Sequence, residues 1–142
     1  MRMRRMVALM ALVVVLAVFC APYVSFTEDR DTVLLAKTIY ALGKEESYET
    51  KLAIGTVVMN RVENPWFGDT LGEVLEEQHQ FPAGSRYDDE SLEAAHEVLS
   101  GERALGEDAL YYQPLNASQP YDSAALVATV GGYGFYSSNG RI

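Results

Sequence analysis

The sequence predicts an α+β domain of about four helices and a short antiparallel β element, preceded by an N-terminal hydrophobic helix. Three observations carry that expectation. Between residues 31 and 101, apolar residues recur at helical spacing in four segments separated by capping and turn residues. Beyond residue 101 the texture changes to short aromatic segments set among glycine and proline. At the other end, Arg2, Arg4 and Arg5 precede an uncharged run from Met6 to Phe26.

The N-terminal run comes first in the chain. A basic end followed by a hydrophobic stretch is the pattern of a secretory signal. This stretch is also long enough to cross a bilayer. Pro22 lies near its outer end, no small-x-small cleavage site is evident, and Phe19 before Cys20 does not suit a lipoprotein signal. Residues 1–26 are read as a signal anchor, with a cleaved signal peptide as the other reading. Residues 27–32 are a polar linker and residues 33–142 the domain. The basic end stays in the cytoplasm, so the domain lies at the outer face of the cytoplasmic membrane or is secreted.

Cys20 is the only cysteine and sits in that run, so the exported part has neither a disulfide nor thiol chemistry. Outside the N-terminal arginine cluster, eight basic residues face twenty acidic ones, a net charge near −12. Such a domain is repelled by phosphate backbones, which excludes nucleic acid as a partner. Binding to any anionic polymer must come from local contacts.

In the first helix, Asp31 or Thr32 serves as cap and Leu35, Ile39 and Leu42 share a face, with Gly43 weakening the end. Ser47 caps a second helix reaching about Val62. Its Leu52, Ala53, Ile54, Val57 and Val58 cover a broad arc, so it is central and mostly buried. Asn64-Pro65 stops it. Thr70-Leu-Gly-Glu73 is a capping box for a short third helix with Leu71, Val74 and Leu75 inside. The fourth starts near Asp89, carries Leu92, Ala95 and Leu99 on one face, and stops at Gly101. Segments 109–112 (ALYY) and 134–136 (GFY) are strand-like. The segment between them, with Pro114, Asn116, Ser118 and Pro120, reads as a loop, and Asn116-Ala-Ser118 as a turn.

LLAKTIYA, AIGTVVMNRVENPWF, HQF, ALYYQP and GGYGFY follow one another in the order seen in SleB-type cell wall hydrolases, and the chain resembles that family over roughly residues 33–137. These are the catalytic domains of spore-cortex-lytic enzymes and related bacterial and phage proteins. The resemblance implies a small lysozyme-like fold that cleaves peptidoglycan glycan strands after N-acetylmuramic acid, in the lytic transglycosylase manner. It implies one glutamate acting as general acid and then base, which requires a carboxyl group whose protonation is tuned by a partly apolar site. The second carboxylate of conventional glycosidases is replaced by the sugar's own hydroxyl.

Two positions depart from the family pattern. Where the family reads Tyr-Ala-Glu-Ala-Arg-Gly-Glu, this chain reads Tyr40-Ala41-Leu42-Gly43-Lys44-Glu45-Glu46, so the catalytic glutamate aligns with Leu42 and the second glutamate is kept as Glu46. Leucine neither donates nor accepts a proton. The histidine of Gly-x-His-x-Phe-Tyr aligns with Tyr133, while Gln80-Phe81 is kept.

The candidate catalytic residue is Glu46, one helical turn past Leu42 if the first helix extends that far. A solvated or orienting role is the plainer reading. Glu45 and Glu49 point to other faces. Candidate substrate-binding residues are Tyr40, Gln80, Phe81, Tyr111 and Tyr133. Tyr112 is a further aromatic able to stack on pyranose rings, though aromatics in small α+β domains more often build the core. Trp66-Phe67 is read as closing the core rather than as a wall of the site. His79 adjoins Gln80-Phe81, His96 reads as surface, and neither has partners at metal-ligand spacing, so no metal and no cofactor are expected. Glu76-Glu77 and Asp88-Asp89 read as solvated helix ends.

Two functional readings follow from these residues. In the first, a membrane-anchored wall hydrolase cleaves glycan strands with Glu46 or another carboxylate. In the second, a catalytically silent relative binds peptidoglycan or assists an active wall hydrolase at the membrane surface. The partners implied are peptidoglycan glycan strands, the cytoplasmic membrane through the N-terminal helix, and in the second reading a partner hydrolase.

Overall fold

The computed structural model describes residues 28–76 and 80–138. The anchor expected over residues 1–26, Glu77 and His79 lie outside the described residues. Among the described residues no helix is long and apolar enough to cross a membrane.

Helix α1 spans Arg30–Gly43, so it begins inside the segment read as linker. Its cap position is Asp29, which leaves the extended region there without a side-chain cap. Neither Asp31 nor Thr32 caps: Asp31 is already in the first turn, and Thr32 is buried in the helix contact. Glu28 just ahead accepts a hydrogen bond from the Tyr87 hydroxyl at 2.5 Å, which ties the entry of α1 to the chain before the last helix. Leu35, Ala36 and Ile39 are fully buried, whereas Leu42 at the C-terminal end is half-buried against the same core.

Helix α2, Tyr48–Val62, is the central element expected. The Ser47 hydroxyl accepts from the Thr50 N–H at 3.3 Å, and Ala53, Ile54, Val57 and Val58 are sealed. Lys51 is fully buried on this helix as well, which its sequence context did not suggest. Its Nζ reaches Glu90 Oε2 at 2.5 Å and Asp88 Oδ2 at 3.9 Å. A buried ammonium needs such partners, because desolvation of an unpaired charge costs several kcal/mol.

Helix α3, Leu71–Glu76, opens with the capping box: Glu73 Oε2 accepts from the Thr70 N–H at 3.1 Å, and Thr70 Oγ1 accepts from the Glu73 N–H at 3.2 Å. Helix α4, Asp89–Leu99, is capped by Asp88, whose Oδ1 accepts from the Ser91 N–H at 2.8 Å. Asp88 is thus a cap facing Lys51 rather than a merely solvated helix end. The sealed face of α4 is Ser91, Ala94, Ala95 and Val98, with Leu92 and Leu99 only partly buried. The expected stripe is rotated because α4 lies against both α1 and α2, and small side chains at the contact let the three backbones approach. Gly101, with φ of +107°, ends the helix as expected.

The β element has three strands rather than two: β1 Tyr111–Pro114, β2 Leu126–Val130 and β3 Tyr133–Tyr136, all antiparallel in the order β1-β3-β2. A 3₁₀ turn, Ser123–Ala125, leads into β2. The unexpected strand β2 lies inside the segment read as loop. It pairs with β3 through the two-residue turn Gly131-Gly132, with an irregularity between Leu126 and Ala128. On β3, Phe135 inserts into the helical core with no exposure, and Tyr133 lies on the same face.

Helix α2 holds this sheet by polar contacts. Asn60 Nδ2 donates to the carbonyls of Gly106 at 2.8 Å and Ala109 at 3.0 Å. Arg61 Nε donates to the Leu110 carbonyl at 2.7 Å. One turn earlier, Thr56 Oγ1 accepts from the Ala104 N–H at 3.0 Å. The chain leading into β1 is therefore stitched to α2 residue by residue. Trp66, after Pro65, does not close the core: the Asn64 side chain accepts from its N–H at 3.0 Å and the indole is turned out to 52 % exposure. Phe67 alone packs inward.

Asn60→Ala leaves the buried Ala109 carbonyl without its side-chain donor, takes one of two donors from the part-buried Gly106 carbonyl, which keeps the Ala109 N–H, and should cost about 1–3 kcal/mol. Urea unfolding measures it: the midpoint should fall at an unchanged slope, and an unmoved midpoint would mean that other groups satisfy those carbonyls.

Candidate functional site

The site is built where the α1–α2 turn meets the β2–β3 hairpin. Helix α1 ends at Gly43, and the Glu46 N–H closes a turn on the Gly43 carbonyl at 3.0 Å. Glu46 is therefore not on the helical face of Leu42; the turn carries it to the hairpin. There its Oε2 accepts a hydrogen bond from the Gly132 N–H at 3.0 Å.

The hairpin has to be glycine. Gly131 has φ of +55°, positive at the first central position of a two-residue turn. A Cβ on Gly131 would also run into the Glu46 carboxylate and the Thr50 hydroxyl, and one on Gly132 would lie 2.7 Å from Glu46 Oε1. Two bare backbone residues thus wrap one carboxylate.

Tyr133 follows directly. Its hydroxyl donates to the Leu42 carbonyl at 2.9 Å. Burial, and after it the charge of Glu46, pushes this phenol above its ordinary value. It stays a protonated donor at neutral pH. The Tyr133 side chain therefore ties the end of α1 to strand β3.

The line continues through aromatic side chains. The Tyr133 and Tyr112 rings are 6.1 Å apart, and Tyr112 stacks on Phe81 at 5.5 Å with 19° between planes. The Tyr112 hydroxyl donates to the Gln80 carbonyl at 2.9 Å. Burial pushes Tyr112 up to about 12, against the pull of the nearby Arg61 charge. The Gln80 side-chain oxygen accepts from Arg61 Nη1. The guanidinium is buried, lying 4.7 Å from the Phe81 ring centre, 5.0 Å from Phe67 and 5.4 Å from Tyr111. Burial draws its pKa below the usual arginine value. Neutral acceptors and ring faces surround it, and among the described residues no carboxylate pairs with it.

Of the residues singled out from sequence, Glu46, Tyr133, Gln80 and Phe81 fall on this line. Phe81 is buried, so it is a floor rather than an open face. Tyr40 sits apart on α1 with the Arg86 guanidinium 5.6 Å above its ring. Tyr111 projects from the other face of the sheet, where its ring meets Tyr121 edge-on at 6.3 Å. Tyr112 takes the inward place. Strand alternation is the signal that separates the two neighbours, but using it requires knowing which face meets the helices. His96 is exposed. Among the described residues no cluster of histidine, cysteine or acidic side chains could hold a metal.

A helical lobe carrying a small antiparallel sheet, with one carboxylate held at the glycine hairpin and aromatics beyond it, defines a small lysozyme-like α+β domain. The chain belongs to the Cell Wall Hydrolase family, whose profile matches residues 45–136. It is 29 % identical over 99 residues to the spore cortex-lytic enzyme of Bacillus subtilis (strain 168), covering 66 % of this chain and 32 % of that protein. Identity is again 29 % over 96 residues to the same enzyme of Halalkalibacterium halodurans, covering 63 % and 29 %. The chain thus spans about a third of the length of these relatives. Among solved structures, the catalytic domain of the Bacillus cereus SleB protein superposes with a TM-score of 0.67 at 21 % identity, over 75 % of this chain and 89 % of that one. The catalytic domain of the germination-specific lytic transglycosylase SleB from Bacillus anthracis gives 0.68 at 20 %, over 80 % and 100 %. The SleB-type fold expected from the motifs is the fold observed.

Two outcomes test this geometry. Gly131→Ala should destabilise the domain by about 1–3 kcal/mol, combining a strained φ with overlap on Glu46; a thermal melt unchanged from wild type would show that the hairpin and Glu46 are not locked together. Tyr112 should ionise near pH 12 in an absorbance titration, alongside Tyr48, which burial and Glu97 also push up to about 12. Because its folded-state value is raised, the stability Tyr112 contributes is fully present below its unfolded value of about 10 and is lost as pH rises through about 12. Tyr112→Phe should remove one late-titrating phenol and lessen the fall in stability over that window.

Proposed function

We propose that the chain acts on peptidoglycan glycan strands as a cell wall hydrolase, cleaving after N-acetylmuramic acid by lytic transglycosylase chemistry with Glu46 as its carboxyl group. The observation that carries this reading is the Gly132 N–H to Glu46 contact, which orients one oxygen of the carboxylate at the hairpin that leads into Tyr133. The names of the similar proteins support the substrate class.

In such a step Glu46, protonated, donates to the departing glycosidic oxygen as the bond to the anomeric carbon breaks. The sugar's own hydroxyl closes on that carbon and returns its proton to the carboxylate, leaving an anhydro end. Tyr40, Gln80, Phe81, Tyr111 and Tyr133 are the substrate-binding residues of this reading. Tyr133 and Gln80 stand nearest along the line from Glu46; Tyr40 and Tyr111 would serve sugar rings further away. The N-terminal hydrophobic segment would anchor the domain at the outer face of the cytoplasmic membrane, or direct its secretion to the wall.

A second reading is favoured by Leu42. By family resemblance it stands at the catalytic glutamate, and it is half-buried against the core with its carbonyl engaged by Tyr133. In that reading the domain is a pseudoenzyme: it binds glycan strands, or assists an active hydrolase, without cleaving them.

Muropeptide analysis after incubation with purified peptidoglycan separates the readings. On the first, the wild type releases anhydro ends and Glu46→Gln lowers the rate about 10²–10⁴-fold, the usual contribution of a general acid. On the second, the wild type sediments with peptidoglycan, releases nothing, and gains cleavage as Leu42→Glu or as Leu42→Glu with Tyr133→His. Leu42→Glu should cost about 1–3 kcal/mol of stability. A wild type that neither binds nor cleaves would count against both and leave a scaffold role.

A further inference from the structure

The loop between β1 and β2 builds a second surface, of which the reading above uses only Tyr111. Gln113 on β1 holds it from both ends of its amide: Nε2 donates to the Gln119 carbonyl at 2.8 Å, and Oε1 accepts from the Tyr121 N–H at 2.8 Å. The Ala125 N–H then closes a turn on the Asp122 carbonyl at 3.0 Å, and the Ser137 N–H donates to the Ala125 carbonyl at 2.9 Å. The loop is thereby fastened to β1 at one end and to the exit of β3 at the other.

This fastening sets the Tyr121 ring 6.3 Å from Tyr111 and 5.1 Å from Tyr136, both edge-on. These three rings, with Asp122, Ser137 and Ser138, enclose a cavity of about 200 Å³. It lies on the sheet face that carries Tyr111 and Tyr136, not the face that carries Tyr112 and Tyr133. Sites enclosing drug-sized ligands run to about 300–1,000 Å³, so this one suits a single small ring. Ser137 and Ser138 also border a neighbouring depression of about 350 Å³, whose far side is Trp66. Tyr121 and Trp66, 48 % and 52 % exposed, are thus two accessible aromatic side chains on one surface joined by two serines.

We propose that this surface is a secondary saccharide site for a short run of neutral N-acetylhexosamine units, one ring in the tyrosine cavity and another against Trp66. Aromatic faces match the apolar faces of pyranoses, while hydroxyl and carboxylate groups take the sugar hydroxyls. The acidic groups set the charge selection. Glu107 and Asp108 line the depression beside Trp66, so a sugar bearing a free carboxylate is repelled there. The neutral sugar of a wall glycan fits, as does an N-acetylmuramic acid unit whose carboxyl is tied up as an amide; the free acid does not. The site rests on the glycan-strand reading and adds to it a hold on the strand remote from Glu46.

Trp66 is the single tryptophan, so its fluorescence reports directly. The full-length protein in detergent micelles is titrated with tri-N-acetylchitotriose and, separately, with N-acetylmuramic acid. The trisaccharide should shift Trp66 emission saturably and N-acetylmuramic acid should not. Tyr121→Ala, at a half-exposed position, should weaken the trisaccharide about tenfold, equivalent to ~1.4 kcal/mol. Glu107→Gln with Asp108→Asn should admit N-acetylmuramic acid. No shift with the trisaccharide, or a shift untouched by both variants, overturns the proposal. Failure of the glycan-strand reading looks different: peptidoglycan is then neither bound nor cleaved, whatever happens at Trp66.

Discussion

The fold depends on Asn60 and Arg61 at the end of α2. Their donors take the carbonyls of Gly106, Ala109 and Leu110 in turn, three acceptors on the chain that becomes β1. A sheet of three short strands needs an apolar face or a helix to pack against. Fastening its first strand to the central helix supplies what its own ladder cannot. The same arginine reaches Gln80 and lies among Phe67, Phe81 and Tyr111, so one side chain joins the helix, the segment after α3, and the sheet. Arginine suits this post because its planar, weakly hydrated guanidinium can be buried against rings where an ammonium would need a counter-charge.

Lys51 shows that contrast within the same helix. It too is buried, but as a compact ammonium it is met by Glu90 and Asp88 at the start of α4. Asp88 is already the cap of that helix. The hydrogen bond from Ser91 is the largest influence holding its carboxyl below the usual range; burial opposes this and Lys51 assists. The two buried cations thus fix opposite ends of α2: Lys51 holds the helical lobe, and Arg61 holds the sheet.

Between these anchors the site is assembled from elements distant in sequence. Glu46 and Gly132 are 86 residues apart and Leu42 and Tyr133 are 91. The α1–α2 turn and the β2–β3 hairpin meet only because α2 is held on one side by α4 and on the other by β1. That is why Glu46 rather than Leu42 faces the glycine backbone: helix α1 stops at Gly43, and the turn after it redirects the chain.

Much of this was written locally. Periodicity and caps located all four helices, because Ser47, the Thr70–Glu73 box and Gly101 act on their own backbone neighbours. The aromatic segments marked β1 and β3, and the ordered motifs marked the family. Strand β2 went unread although residues 126–130 (LVATV) followed by Gly-Gly is a hairpin signal, since the prolines and serines before it read as one continuous loop. The sequence by itself determined the helical lobe, the family and the identity of the candidate residues, since these follow from short-range spacing and side-chain chemistry. Tertiary structure decided the burial of Lys51, the exposure of Trp66, the inward turn of Tyr112 over Tyr111, and the meeting of Glu46 with Gly132. Each depends on which backbone group a distant segment presents, and no local pattern encodes that.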